Sequence, residues 1–148
     1  MDLARLWTDA GEMGKARGAL HRLSPWGAAL TPADRLAAAA MIARAFARQP
    51  VRPRVGASGA LPIDTGTAAQ DAWHLLRDEE IPPPVRCSAA LDLAHAARLQ
   101  RDREGVARAI EVLTALVTES DYPALNLEIA RLCAEDAGAP PMADGRAA

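Results

Sequence analysis

The chain has 148 residues, half of them apolar but only 3% aromatic, and a formal charge of −2. That length fits one domain with a core of its own, and the small acidic excess argues against bulk nucleic-acid binding, for which a basic surplus is the usual footprint. Alanine and leucine must build the core, which favours helices with closely approaching axes. Of 17 basic residues only Lys15 is a lysine. No basic region followed by an apolar run opens the chain, and no window holds the ~18 apolar residues of a membrane span. A reducing cytoplasm is the expected setting. Cys87 and Cys133 form no CxxC pair, so both read as free thiols buried as small apolar groups.

The apolar residues recur at spacings of three and four, the period of helices. In the first predicted helix, Asp2–Ala10, Leu3, Leu6, Trp7 and Ala10 form one stripe, and Gly11 ends it. A second, Gly14–Leu23, belongs to a stripe made by Met13, Ala16, Leu20 and Leu23. Ser24-Pro25 closes this hairpin, and Trp26 begins an irregular stretch. Thr31-Pro32-Ala33-Asp34 opens the third helix with an N-cap, a proline at N1 and an acid at N3. Leu36, Ala39, Ile42, Ala43 and Phe46 should face inward before Gln49-Pro50 ends it.

Residues 50–66 carry no helical period and hold Pro50, Pro53 and Pro62 with Gly56, Gly59 and Gly66. A flexible loop is expected, and loops of this length inside a domain tend to be functional or disordered. Arg44, Arg48, Arg52 and Arg54 cluster around it, with no acid between Asp34 and Asp64. They read either as a docking site for an acidic partner or a phosphate, or as a solvated loop.

Thr67-Ala68-Ala69-Gln70 resembles a capping box opening a fourth helix, with Ala69, Ala72, Trp73 and Leu76 inward. Asp78-Glu79-Glu80 sits where the helix dipole disfavours anions, so either the helix should fray early or those carboxylates find cations. Pro82-Pro83-Pro84 reads as the start of a fifth helix, Pro84–Gln100, burying Cys87, Ala90, Leu91 and Ala94. After Arg101-Asp102-Arg103 comes a sixth, Glu104–Glu119, with Val106, Ile110, Leu113 and Val117 on one face, joined by Ala109 and Leu116. Glu104 and Arg108 are spaced for an outer i,i+4 pair. Ser120-Asp121-Tyr122-Pro123 stops that helix. A seventh, Pro123–Asp136, should bury Leu125, Ile129, Leu132 and Cys133, with Gly138 after it and a disordered tail over 139–148. Residues 1–138 form the predicted domain.

Helices one and two, three and four, and five and six pair as antiparallel hairpins, with the seventh left over. A shift of ninety residues aligns Asp2-Leu3-Ala4 with Asp92-Leu93-Ala94, Ala19 with Ala109 and Leu23 with Leu113. The segment Gly11-Glu12-Met13-Gly14-Lys15-Ala16, followed by Leu20, resembles the turn and second helix of a tetratricopeptide repeat. There, a glycine closes the first helix and a small residue five positions later lets the second pack tightly. The third hairpin departs from that pattern, with Arg101-Asp102 at the turn and Val106 at the small position, and the second has a long loop. Tyr122-Pro123-Ala124-Leu125, with Ala130, Leu132 and Cys133, is similar to a stretch in small acidic chaperones of type III secretion needle subunits. The resemblance implies an all-α, right-handed stack whose concave face sheaths an amphipathic helix of a client.

Reactive constellations are missing from the sequence. His21, His74 and His95 lack HxxxH or HExxH partners, and His95, four residues after Leu91, could share its inward face. No nucleophile elbow, Walker loop or dinucleotide fingerprint occurs. Gly56-Ala57-Ser58-Gly59 lacks a following glycine-lysine, and a DNA-reading sixth helix would set Glu104, Glu111 and Glu119 against Arg108 alone. No catalytic residue, cofactor or metal is therefore expected. The reading is a non-catalytic interaction module, an adaptor or chaperone holding a partner helix in a groove. Trp26 would be a hot spot at its rim, beside Arg44, Arg48, Arg52 and Arg54. Two alternatives are a helical regulator that binds a small molecule or DNA as a dimer, and an accessory subunit of an enzyme complex.

Overall fold

A computed structural model describes residues 1–49, 59–120 and 126–135, and the side chains among these except those of 119 and 120. Every regular element among the described residues is helical. In chain order they are α1 (Asp2–Asp9), α2 (Met13–Leu23), a 3₁₀ segment (Ser24–Ala29), α3 (Pro32–Ala45), α4 (Thr65–Leu75), α5 (Pro83–Leu99) and α6 (Arg103–Ser120). A further helix, α7, covers 126–135. The predicted restart at Asp121–Leu125, Gly138 and the tail 139–148 lie outside the described residues, as do Arg52, Arg54 and the run Gly56-Ala57-Ser58.

Two hairpins close through one turn chemistry. At the end of α1, Gly11 takes φ +77°, Gly11 N–H donates to Thr8 O at 3.1 Å and Glu12 N–H to Trp7 O at 2.9 Å. At the end of α5, Arg101 takes φ +58°, its N–H donates to Arg98 O at 3.0 Å, and Asp102 N–H donates to Ala97 O at 2.8 Å. Both are Schellman closures, which satisfy the last carbonyls of a helix through a left-handed residue. They stand ninety positions apart. Asp102 then caps α6, its Oδ1 accepting from Gly105 N–H at 3.0 Å.

α3 and α5 form the middle of the molecule: α3 packs on α2, α4 and α5, and α5 on α6. The start of α3 follows the sequence, for Thr31 Oγ1 accepts from Asp34 N–H at 3.2 Å. All five residues expected to face inward are buried, but so are Ala38, Ala40, Met41 and Ala45. α5 buries Cys87, Ala90 and Ala94 as expected but leaves Leu91 half-buried, and it buries Ala89, Leu93, Ala96 and Ala97 as well. Helices with neighbours on several sides need small side chains around most of their circumference, which is what the alanine runs supply.

Several expectations are corrected. The cap of α4 is Asp64, accepting from Thr67 N–H at 2.7 Å, so the helix begins at Thr65, one turn before the predicted start is complete. Ala68 takes the buried place expected of Ala69. Arg108 lies over the Trp73 ring, 4.3 Å from its centroid, and does not pair with Glu104; a cation on an aromatic face outweighs an exposed ion pair. In α7 Leu132 is buried but Cys133, about 100° further round the helix, is exposed. α4 does end early, before Asp78-Glu79-Glu80.

The described end of the long loop is fastened. Ser24 Oγ donates to Leu61 O at 2.7 Å, and Leu61 N–H donates to Ser24 O at 2.8 Å. A Cβ on Gly27 would stand 2.6 Å from Gly59 O and 2.8 Å from Leu61 N, both backbone atoms. Only glycine admits the loop so close to the 3₁₀ segment.

Candidate functional site

The largest disagreement with the sequence reading lies in α1. Leu3 and Leu6, predicted to face inward, are 49% and 59% exposed, and Ala10 is exposed as well. Ala4 and Thr8 are buried in their place. At about 100° per residue, Leu6 points directly away from the midpoint of Ala4 and Thr8. The helix is strongly amphipathic, and its larger apolar face looks outward.

The reason lies on its third edge. Arg5 reaches from α1 to Asp92 of α5, Nη1 standing 2.8 Å from Oδ2. Arg44 of α3 donates from Nη1 to Oδ1 of the same carboxylate at 3.1 Å. Asp92 is 1% exposed, the one buried charged residue among those described. Arg5 is close enough for an ion pair but not aligned as a hydrogen bond, so Oδ2 has no hydrogen-bond donor among the described residues. Arg5 also serves Asp9, at 3.4 Å. A buried charge left unpaired is costly, so this carboxylate holds the Arg5 edge of α1 toward the core. Thr8, donating to Ala4 O at 2.8 Å, presents a short side chain there and allows close approach.

His95 sits one turn after Asp92 and is half-buried. Burial first, then Arg44 and Arg98, push its pKa below the usual 6.5, against the opposing pull of Asp92 and Glu128. Burial pushes the Cys87 thiol above its ordinary 9.0, with Arg86 opposing. Among the described residues no three His, Cys, Asp or Glu side chains converge as a metal-binding group would.

The residues expected at a partner site fall in different places. Trp26 lies in the 3₁₀ segment and is 66% exposed. Arg48 is exposed in the turns after α3, whereas Arg44 is half-buried and committed to Asp92. Arg52 and Arg54 lie outside the described residues. Arg17 of α2 donates to Ala45 O at 3.0 Å, closing the end of α3, and His21 meets Phe46 edge-on at 5.3 Å. Trp7 is half-buried with Lys15 4.4 Å above its ring.

Two features were missed by reading the sequence: the outward stripe of α1 and the Arg5–Asp92–Arg44 tie. A lone aspartate inside the apolar run Ala89–Leu93 was the available signal for the tie. Nothing local could have identified its partners on two other helices. No protein-family profile, curated protein sequence or solved structure matches this chain.

Proposed function

We propose that this protein is a non-catalytic interaction module, a tetratricopeptide-like adaptor or chaperone of the cytoplasm that holds an amphipathic helix of another protein. The observation that carries the reading is the outward stripe Leu3, Leu6 and Ala10, spaced i, i+3 and i+7 along α1. Helix-against-helix recognition uses this spacing of anchors. A free-standing stripe of this kind has a hydrophobic cost that a partner removes, at about 25 cal/mol per Å² covered. Exposed Trp26, near the end of α2, supplies a second anchor of the type that concentrates binding energy.

Site-specific photo-crosslinking in the source cell tests this reading. A benzophenone side chain at Leu6 or Trp26 should yield one protein adduct, mapping to an amphipathic helix of the partner. The same group at Glu111, exposed on α6, should not. Equal adducts from all three positions, or a purified protein that turns over a substrate panel, would refute it.

A further inference from the structure

Resting on the interaction reading above, we infer that the outer face of α1 takes a single amphipathic helix whose apolar stripe is bordered by a basic edge. Charge is distributed unevenly around the stripe. Asp2 and Asp9 are seven residues apart, which places them within about 20° of each other around the helix and about 10 Å apart along it. Both are exposed, and both lie on the same side of Leu6. Leu3 and Ala10 lie on the other side, next to Trp7, whose ring carries Lys15. A helix laid along Leu6 therefore runs beside a row of carboxylates on one edge and an aromatic-cation pair on the other.

The carboxylate row is only partly neutralised from within. Arg5, the only cation inside α1, donates to Asp9 Oδ1 at 3.4 Å but also faces buried Asp92 at 2.8 Å, so one charge is divided between two carboxylates, and Asp2 has no ion-pair partner among the described residues. Glu12, exposed in the turn, adds a third negative charge at the end of the stripe. Lysine or arginine at i and i+7 on the partner's edge would meet Asp2 and Asp9 together. Complementary rim charges of this kind set register and partner choice more than affinity.

A second copy of the chain fits less well. An antiparallel pairing of two α1 helices sets the acidic edges against each other. A parallel pairing offers one lysine to two aspartates. The stripe is also short, since eight residues span about 12 Å. A lasting interface between globular partners covers roughly 800 Å² on each side, whereas one helix needs only a few anchors.

The test is an NMR titration of the full chain with two synthetic 14-residue peptides sharing one Leu/Ala stripe, one edged with lysine and the other with glutamate. The lysine-edged peptide should shift α1 resonances and bind at least ~10-fold more tightly, with affinity falling as salt rises. Leu6→Asp, at an exposed site that leaves the core intact, should abolish this binding. Reversing the rim with Asp2→Lys and Asp9→Lys should invert the preference. If the glutamate-edged peptide binds α1 equally well, the basic edge is wrong while the interaction reading stands. If neither peptide moves α1, or if the chain self-associates through Leu6, the inference is overturned; the crosslinking result then decides the interaction reading separately.

Discussion

Replacing Asp92 by asparagine keeps the shape of the side chain and removes the charge that Arg5 and Arg44 share. In a fully buried pair, deleting one partner costs about 3–5 kcal/mol because the other charge is left without compensation. Here the carboxylate is 2% exposed while the Arg5 and Arg44 side chains retain 25% and 19% exposure, so both guanidiniums can relax toward water. Arg5 also keeps Asp9. Discounting for that leaves a loss of about 2–3 kcal/mol. For a chain of this size each kcal/mol moves Tm by roughly 2–4 °C, giving a drop on the order of 4–12 °C. Urea unfolding of D92N, R44M and the double variant would measure the coupling. It should exceed that from the D92N and R5M cycle, because Arg44 makes the aligned hydrogen bond and Arg5 does not. Hydrogen exchange should also quicken in α1, which the carboxylate ties to α5. A stability loss under about 0.5 kcal/mol, the range of ordinary surface changes, would refute the claim that this carboxylate sets the seating of α1.

Four further outcomes follow from local geometry. Gly27→Ala forces a methyl against Gly59 O and Leu61 N and should cost about 1–3 kcal/mol, with loss of exchange protection at the Leu61 amide. Arg101→Gly relieves a side chain held at φ +58° and should raise stability in urea by about 0.5–1 kcal/mol, the left-handed penalty less the added chain entropy. Ellman's reagent should titrate exposed Cys133 quickly in the native protein, and Cys87 only when the chain opens or is denatured. The pKa of His95 is lower in the folded state than unfolded, so the unfolded chain binds the extra proton and stability rises with pH. Its contribution is complete above about 6.5 and is lost as pH falls from there toward the lowered folded value. His95→Leu should flatten that part of the stability profile; an unchanged slope would remove His95 as its source.

What the sequence makes legible is set by how far each signal reaches along the chain. Thr31-Pro32-Ala33-Asp34 is a local device, and the helix begins where it says. The Gly11 and Arg101-Asp102 turns are local too, and both close hairpins at the expected places. The stripe on α1 is equally local and its residues do share a face, yet periodicity reports only that an apolar face exists, not which way it points. The direction is decided by Asp92, in another helix, which draws Arg5 toward the core and leaves Leu3 and Leu6 outside. The same tie removes Arg44 from the arginine cluster that looked like a docking patch, because charge clustered in sequence says nothing of a counterion 48 residues away. α3 and α5 show the converse: being buried nearly all round, they lose the contrast between faces that periodicity needs, and their alanines carry the information as size. A helix that is small all round marks the middle of this fold, and a helix with a strong stripe marks its edge. By that logic the stripe on α1, exposed at Leu3 and Leu6, places this helix at the edge of the fold with its larger apolar face turned away from the core.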